Sequence, residues 1–391
     1  MKKAHILSGI DRIDTIAPLL EGKRVGLMTN PTGIDHSYKS TIDVIAERFN
    51  LTALFAVEHG IRGAQQAGQW VENGVDEVTG IPVYSAYGPR EYMHFTDEML
   101  DAFDVLIYDM QDIGVRFFTY IFSMGYAMEA CNRAGKSMIV LDRINPIGGH
   151  IVSGNVQKPG FNSFVGEYEL PARYGLTCGE LALYEKDYMG LDLDLTIVPL
   201  EGWKRSMYLD DTDVPWVLAA PNVPMLDSFM TYLGICLIEG VNVSEGRGST
   251  MSFQICGAPY LNGLALEKAM NAHHLPGLHF RSNSYTPTFH KYQGELCHGV
   301  QMHITDREVC DPYAAGIILL DEIRRQAGEQ FCFLAPEERK QSLEKNLWHL
   351  DRLMGTDEYR TGKLTTEEFL AMCDREAADF AARTRKYHLY D

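Results

Sequence analysis

The sequence is poor in the features that mark membrane, secreted and disulfide-bonded proteins. None of its 391 residues lies in an uninterrupted apolar run of about 18, the length that spans a bilayer. Ser8, Gly9 and Asp11 interrupt the N-terminal apolar segment, so it does not resemble a secretory signal. The eight cysteines are scattered without a CxxC pair, which favours reduced thiols over disulfides. We therefore expect a cytoplasmic protein that does not bind a membrane.

Positively charged residues are also scarce. The chain has 35 Lys and Arg residues against 53 Asp and Glu residues, a formal net charge of −18. A surface that binds nucleic acid needs a basic face, so this balance argues against a nucleic-acid partner.

Motifs of cofactor and metal sites are missing too. The first predicted strand is followed by NPTGID instead of GxGxxG, and no GxxxxGK[ST] loop occurs. The histidines include His273 beside His274, and His298 with His303, but neither HExxH nor a tetrahedral Cys/His spacing is present. GxSxG, the motif of many serine hydrolases, is absent as well. The sequence therefore predicts neither a cofactor nor a metal ion for its chemistry.

Apolar strands alternate with helical patterns from Val25 to Leu200, which is typical of βαβ units. The predicted strands are 25–29, 51–57, 105–108, 138–141 and 195–200, and the predicted helices are 40–49, 119–133 and 181–189. Gly135 is expected to end the second helix, and Thr177 with Glu180 to form a capping box before the third. These patterns predict an α/β fold with a Rossmann-like, mostly parallel sheet.

The chain is longer than one hydrophobic core comfortably organises, so we expect two domains. The Gly- and charge-rich loop at 244–249 is the predicted junction. It separates a Rossmann-like catalytic domain, residues 1–248, from a smaller C-terminal α/β domain, residues 249–391. A helix is predicted at 227–239, before the junction. The second domain is predicted to contain strands at 251–255 and 299–304, helices at 314–325 and 336–347, and a helix after the capping box of Thr365 and Glu368.

Polar side chains stand at the carboxyl ends of four predicted strands: Asn30, Glu58, Asp109 and Asp142. Open parallel sheets bind ligands at this edge, so these residues predict a site there. The turns that follow add further polar residues, namely Gln111, Asp112, Arg116 and Arg143. The competing interpretation is structural, because Glu58 would also suit a helix cap or an ion pair, and Asp109 or Asp112 a cap.

Eight stretches in order resemble one family: VGLMTNPTG, FAVEHGIRG, TGIPVYSAYG, DMQDIGVRFFTY, VLDRINPIGG, EGVNVSEGRGST, PGLHF and GTDEYRTG with KYHLY. Together they resemble the exo-β-N-acetylmuramidases of glycoside hydrolase family 171, over a match that runs from Gly9 to the C-terminus. The resemblance implies a hydrolase that removes terminal N-acetylmuramic acid from the non-reducing end of peptidoglycan-derived saccharides. It also implies a nucleotide-fold-like N-terminal domain and a smaller C-terminal domain that closes the active-site cleft.

The resemblance places the family's catalytic glutamate, in the VEHG motif, on Glu58. The sequence departs from the family at Ile144, where proline is more frequent, and in AAPNVPM, where a serine commonly precedes the proline. Many members carry an export signal that this N-terminus does not resemble. We therefore expect the protein to hydrolyse imported wall fragments, as part of cell-wall recycling.

Cleavage of a glycosidic bond needs a proton for the leaving oxygen and stabilisation of an oxocarbenium-like transition state. A carboxyl group withdrawn from water holds its proton more readily, so Glu58 is the predicted acid/base. His59 is expected to tune this group or hold a sugar hydroxyl, unless it is a core histidine. The second group stays open between the substrate's own acetamido group and a carboxylate, with candidates Asp109, Asp112, Glu239 and Glu245. We expect retention of the anomeric configuration, by either of two routes. In one, Glu58 and a partner carboxylate lie at the ends of adjacent strands. In the other, the acetamido group of the substrate attacks the anomeric carbon.

N-acetylmuramic acid differs from N-acetylglucosamine by a lactyl carboxylate, which a guanidinium binds with two parallel hydrogen bonds. At least one of four arginines is predicted to do so: Arg62, Arg116, Arg143 and Arg247. Glu245 and Arg247 equally suit a plain ion pair. Aromatic residues expected to stack on sugar faces are Trp70, Tyr84, Tyr87 and Tyr120.

The predicted catalytic residues are therefore Glu58, His59, Asp109 and Asp112. The predicted substrate-binding residues are Asn30, Arg62, Gln111, Arg116, Tyr120, Asp142, Arg143, Glu245 and Arg247. The alternative is a non-catalytic saccharide-binding protein, which would need the arginines and aromatic residues but no glutamate at a strand end.

Overall fold

The computed structural model describes residues 3–63, 72–87, 95–336 and 347–391. Trp70 and nearly all of the helix predicted at 336–347 lie outside these residues. The chain forms two compact units that are each discontinuous in sequence. Unit 1 contains Met1–Ile151, Gly175–Pro221 and Ala381–Asp391, and unit 2 contains Val152–Tyr174 and Asn222–Phe380. The single division predicted after residue 248, with catalysis in the first part, stays a prediction.

The elements are numbered in chain order. The strands are β1 Val25–Thr29, β2 Leu51–Ala56, β3 Gly74–Val75, β4 Pro82–Ser85, β5 Val105–Asp109, β6 Ser137–Leu141, β7 Ser153–Val156, β8 Pro171–Arg173, β9 Leu195–Val198, β10 Ile255–Ala258, β11 Leu278–Tyr285 and β12 Cys297–Ile304. The helices are α1 Ala17–Leu20, α2 Thr41–Arg48, α3 Asp97–Asp101, α4 Tyr120–Ala134, α5 Cys178–Met189, α6 Leu226–Ile235, α7 Gly263–Ala272, α8 Pro312–Ala327, α9 His349–Met354 and α10 Thr366–Thr384.

Seven strands of unit 1 form one sheet in the order β3-β4-β2-β1-β5-β6-β9. All neighbours pair in parallel except β3, which runs antiparallel to β4. Every residue of β1 and β5 is buried, as expected for central strands covered on both faces. The predicted α/β fold with a mostly parallel sheet is confirmed.

Local signals fix the ends of the helices in unit 1. At the start of α2, Ser40 accepts a hydrogen bond from the backbone of Ile42. Thr177 and Glu180 form the predicted capping box of α5. Gly135 ends α4 with φ of +63°, a left-handed conformation that glycine adopts without a steric penalty.

Unit 2 contains a three-stranded antiparallel sheet in the order β10-β12-β11 and a separate β7-β8 ribbon. The strand predicted at 251–255 is wrong except for its last residue. Residues 251–254 form a turn in which Phe253 has φ of +60° and donates its N–H to the Glu245 carbonyl. The helix predicted at 227–239 is α-helical only to Ile235 and continues as a 3-10 helix, Cys236–Gly240.

The last residues of the chain pack on unit 1. The Tyr390 ring lies edge-to-face with Trp203 at 5.3 Å, and its hydroxyl accepts a hydrogen bond from the Leu200 N–H at 2.8 Å. Ile144, one of the departures from the family, is buried in a cluster with Leu200 and Trp203. Among the residues that the structure describes, no helix is both long enough and apolar enough to cross a membrane.

Candidate active site

The carboxyl ends of the central strands lie side by side at one edge of the sheet. Thr29 of β1 is in register with Ala56 of β2 on one side and with Asp109 of β5 on the other. This arrangement brings the predicted strand-end residues to a common edge, namely Asn30, Glu58, Asp109 and Asp142.

Glu58 occupies a tight turn just after β2. The Gly60 N–H donates to the Val57 carbonyl at 2.9 Å, so Glu58 and His59 are the two central residues of the turn. His59 has φ of +73°, the sign that a type II turn requires at this position and that a β-carbon disfavours by about 1–2 kcal/mol. The His59 side chain is buried. Backbone strain of this kind is concentrated at functional sites.

Two hydroxyl groups hold the carboxylate of Glu58. The Tyr87 hydroxyl donates to Oε1 at 3.0 Å, and the Thr119 hydroxyl donates to Oε2 at 2.7 Å. Each oxygen therefore has a donor from a different element, which fixes the plane of the carboxyl group. Because Glu58 remains partly exposed, the fixed group is able to exchange a proton with a bound molecule.

The elements next to Glu58 position these two hydroxyls. The pairing of β2 with β4 continues one residue past the end of β4, since the Ala86 N–H donates to the Ala56 carbonyl at 2.8 Å. The Ser85 hydroxyl donates to the Tyr87 carbonyl at 2.9 Å and so fixes the Tyr87 backbone. Thr119 is the N-cap of α4, but its side chain makes no capping bond and points to Glu58 instead.

Tyr120 lies close to the same carboxylate. It is buried, and its hydroxyl donates to the Ala219 carbonyl. Burial raises the pKa of Tyr120, and the charges of Glu58 and Asp112 raise it further. Asn30, also buried, uses its side-chain oxygen to accept the Thr32 N–H at 2.9 Å.

Asp109 is fully buried, and its carboxylate is bound by one guanidinium and one hydroxyl. The Arg143 guanidinium donates to both of its oxygens, at 2.6 and 2.8 Å, and the Thr41 hydroxyl donates to Oδ2. Arg143 also donates to the Ile34 carbonyl at 2.9 Å. The charge of Asp109 helps to raise the pKa of Arg143, against the effect of burial. The geometry favours a structural ion pair over contact with a substrate for both residues.

The strand order corrects one premise of the sequence analysis. β1 lies between β2 and β5, so Glu58 and Asp109 do not hang from adjacent strands. Two interstrand spacings amount to about 9.6 Å, whereas a retaining pair of carboxyls needs roughly 5–5.5 Å. The adjacency required for that pair does not arise.

Asp142 is fully buried as well. Its oxygens accept from the Gly179 N–H at 2.7 Å, the Thr177 hydroxyl at 2.8 Å and the Tyr390 hydroxyl. Burial raises the pKa of Asp142 to about 7, although these three hydrogen bonds act in the opposite direction. Asp142 thus ties the C-terminal residues to the sheet, and its predicted contact with substrate is not favoured.

The turn after β5 is built from buried polar contacts. Gln111 donates its amide to the Asp112 carbonyl at 2.6 Å and the Ile144 carbonyl at 2.8 Å. Asp112 accepts the Gly114 N–H at 2.6 Å. Gly114 has φ of +79°, and an added Cβ would lie 2.3 Å from the Asn145 side chain, so only glycine fits there. Arg116 is fully buried over the Phe117 ring. Gln111 and Arg116 therefore face the protein interior.

Arg62 is the most accessible of the predicted arginines, with 43% of its side chain exposed. Its Nε and Nη2 donate to the two oxygens of Asp76, each at 3.0 Å. Burial alone would raise the pKa of Asp76, but hydrogen bonds from Thr79 and Arg62 hold it below its ordinary value. A guanidinium has a second edge, formed by Nη1 and Nη2, that can bind another carboxylate.

Glu239, Glu245 and Arg247 form a buried network in unit 2. Arg247 Nη1 lies 2.6 Å from a Glu239 oxygen and 2.9 Å from a Glu245 oxygen. Lys291 and His290 also contact Glu245, at 3.2 and 3.1 Å. Burial opposes ionisation, but the charge of Lys291 and the other cations hold the pKa of Glu245 well below its ordinary value. Glu245 and Arg247 thus form an ion pair with each other, and their predicted role in substrate binding stays a prediction.

Sequence reasoning missed several residues that shape the site. Thr119 and Thr41 were not singled out, and Tyr87 was expected to stack on sugars rather than to bond Glu58. Asp76, the partner of Arg62, was not considered. All four act through contacts between separate elements, for which a single sequence gives no periodic signal.

Comparisons with known proteins agree with this fold. Residues 25–227 match the family described as exo-β-N-acetylmuramidase NamZ, N-terminal, and residues 230–390 match its C-terminal counterpart. The chain is 42% identical over 399 residues to the peptidoglycan β-N-acetylmuramidase NamZ of Bacillus subtilis strain 168, covering 100% of this chain and 92% of that protein.

Two crystal structures of DUF1343 family proteins from Bacteroides fragilis NCTC 9343 are similar to the whole chain. The first has a TM-score of 0.88 and 36% identity, and covers 99% of both chains. The second has a TM-score of 0.77 and 28% identity, again over 99% of both chains.

Proposed function

The chain belongs to the exo-β-N-acetylmuramidase family, and we propose that it is a glycosidase that removes terminal N-acetylmuramic acid from the non-reducing end of peptidoglycan-derived saccharides. The family match over both halves of the chain favours an enzyme over a non-catalytic saccharide-binding protein. The observation that carries the role of Glu58 is its geometry: a partly exposed carboxyl group held by one hydroxyl donor on each oxygen.

In this proposal Glu58 is the acid/base. It donates a proton to the glycosidic oxygen as the bond to the anomeric carbon breaks, and the leaving saccharide departs with that proton. Tyr87 and Thr119 keep the carboxyl group aimed at the bond, and His59 contributes through the strained turn that orients Glu58. Glu58 then takes a proton from the water that completes hydrolysis.

The nucleophile in this proposal is the acetamido carbonyl oxygen of the substrate. Its attack on the anomeric carbon forms a cyclic intermediate, which water opens from the opposite face, so the configuration is retained. Asp109 has both oxygens engaged by Arg143 and Thr41. We therefore assign to Asp112, which lies in the turn after β5 and accepts the Gly114 N–H, the role of orienting the acetamido N–H.

We propose that Arg62 binds the lactyl carboxylate. It follows Glu58 by four residues at the end of β2, and Asp76 fixes its guanidinium through the Nε–Nη2 edge. The remaining edge is oriented for a second carboxylate, and 43% of the side chain is exposed. Arg143 and Arg116, by contrast, are buried.

The proposed activity is tested with two defined disaccharides. One carries N-acetylmuramic acid at its non-reducing end, and the other carries N-acetylglucosamine there. We expect free N-acetylmuramic acid from the first and no cleavage of the second. Binding of the first without cleavage would favour the saccharide-binding alternative, and equal cleavage of both would remove the proposed specificity.

We further propose that the protein acts in the cytoplasm on wall fragments that are recycled. All eight cysteines are free thiols, seven of them buried, which suits a reducing compartment. Cell fractionation tests this assignment directly, because activity in the extracellular fraction alone would contradict it.

A further inference from the structure

Two histidines and an aspartate from distant parts of the chain converge in unit 1. The potential ligand atoms of His5, His36 and Asp213 all lie within 4.8 Å of one another. His5 Nδ1 is 2.7 Å from Asp213 Oδ2, and His36 Nε2 is 3.6 Å from the same oxygen. The two imidazole rings meet edge-to-face with centroids 5.1 Å apart. The proposed hydrolysis uses none of these residues. We propose that they bind a divalent transition-metal ion, with Zn²⁺ as the best match.

The donor set suits this ion. Zn²⁺ takes imidazole nitrogen and carboxylate oxygen at about 2.0–2.2 Å, and a tetrahedral arrangement then sets ligand atoms roughly 3.4 Å apart. The 3.6 Å between His36 and Asp213 is close to that spacing. His5 would have to move outward by less than about 1 Å. Its side chain is 65% exposed and is free to do so. Water would complete the coordination sphere.

Backbone contacts hold the aspartate in place. The Ile6 N–H donates to Asp213 Oδ1 at 3.0 Å, which leaves Oδ2 facing the histidines. The Asp213 N–H donates to the Ala4 carbonyl at 2.9 Å, and Ala4 forms a parallel bridge with Thr212. The segment that carries His5 is thus tied to the segment that carries Asp213 before any metal binds. Such supporting contacts orient metal ligands in proteins.

His36 is positioned by a separate contact. Its backbone N–H donates to Asp11 Oδ1 at 2.7 Å, while Asp11 Oδ2 accepts the Ser8 N–H at 2.8 Å. Asp213 Oδ2 faces both imidazoles, at 2.7 Å from His5 Nδ1 and 3.6 Å from His36 Nε2. A shared cation accounts for both. The ion would join the N-terminal segment to the loop that starts at Asn30 in the candidate active site and would stabilise that loop.

Calorimetric titration with zinc chloride tests the site on protein without a histidine tag, after treatment with a chelator. We expect one Zn²⁺ per chain for the parent. His36→Gln and Asp213→Asn should each weaken binding at least about tenfold, since even the loss of a supporting contact has an effect of 10–100-fold. Asp213→Asn keeps an oxygen that can accept the Ile6 N–H, so the fold should persist.

His279→Gln is the matched control, because His279 lies in β11 of unit 2, and it should bind like the parent. The thermal unfolding temperature should rise with Zn²⁺ in the parent and in the control but not in His36→Gln. If His36→Gln fails to fold, the exposed His5→Gln replaces it. No binding by the parent, or parent-like affinity in the ligand variants, would overturn the proposal.

Discussion

Asp142 gives the protein a pH-dependent loss of stability that one substitution should remove. In the folded state burial raises its pKa from 3.8 to about 7. Between these values the folded chain holds a proton that the unfolded chain has released, so the free energy of unfolding falls as pH rises. The loss levels off about one pH unit above the folded pKa. Asp142→Asn cannot ionise, so its stability should lack this dependence.

The size of the effect follows from the two pKa values of Asp142, 3.8 and about 7. Each pH unit between them changes the free energy of unfolding by about 1.4 kcal/mol, which amounts to about 4 kcal/mol in full. Between about 1 and 2 kcal/mol of this is already lost at pH 5. From pH 5 to pH 8 the variant should therefore gain roughly 2–3 kcal/mol relative to the parent. The hydrogen bonds altered by the amide contribute a constant offset that cancels in this comparison.

Urea unfolding at pH 5 and pH 8, followed by tryptophan fluorescence, measures this gain. Trp203 packs against Tyr390, the residue that bonds Asp142, and so reports on the same region. Asp187→Asn is the control, because hydrogen bonds from Lys386 and Tyr387 hold the pKa of Asp187 below its ordinary value. Its contribution is complete above pH 4 and should not change between pH 5 and pH 8. If the parent and Asp142→Asn change in parallel, the account of Asp142 is wrong.

Three further predictions concern the reaction. Thr119→Val and Tyr87→Phe each remove one hydrogen-bond donor to Glu58. A hydrogen bond to a charged group contributes about 1.5–3 kcal/mol, so kcat should fall about 10–100-fold in each variant. An unchanged kcat in both variants would show that neither residue positions Glu58. Arg62→Gln should lose most of the preference for N-acetylmuramic acid over N-acetylglucosamine, measured as the ratio of kcat/KM values, and an unaltered ratio would direct attention to Arg247. Proton NMR of the first-formed sugar should show the β-anomer, whereas an initial α-anomer would mean inversion and a carboxylate base.

The sheet of unit 1 was predictable because its signals are local. The segments that became β1, β2, β5 and β6 are largely apolar runs, and all of their residues except Thr52 and Ser137 are buried, as the sequence pattern requires. Unit 2 was harder. Most residues of β11 are exposed or half-buried, so its sequence shows no apolar run. The strand predicted at 251–255 was wrong because most of its residues form a turn in which the backbone of Phe253 is left-handed.

The candidate site likewise contains residues with a local sequence signal and residues whose roles depend on tertiary contacts. Chain position and the VEHG pattern identify Glu58, and neither depends on tertiary contacts. The role of Asp109 depends on Arg143, which lies 34 positions further along the chain, just after β6. Arg143 and Arg62 are each paired with a buried aspartate, and nothing local distinguishes a buried arginine from an exposed one, so the two looked alike in sequence. Their exposure in the folded chain separates them.

The central claim is that Glu58 is the acid/base, and the turnover of Glu58→Gln on a chromogenic N-acetylmuramide tests it most directly. The amide keeps the size of the carboxyl group but cannot supply the proton. The account predicts a fall in turnover of at least about a hundredfold, the usual scale of general acid catalysis, while the exposed Glu77→Gln control keeps the parent rate. Hydrolysis by Glu58→Gln at close to the parent rate would contradict the claim.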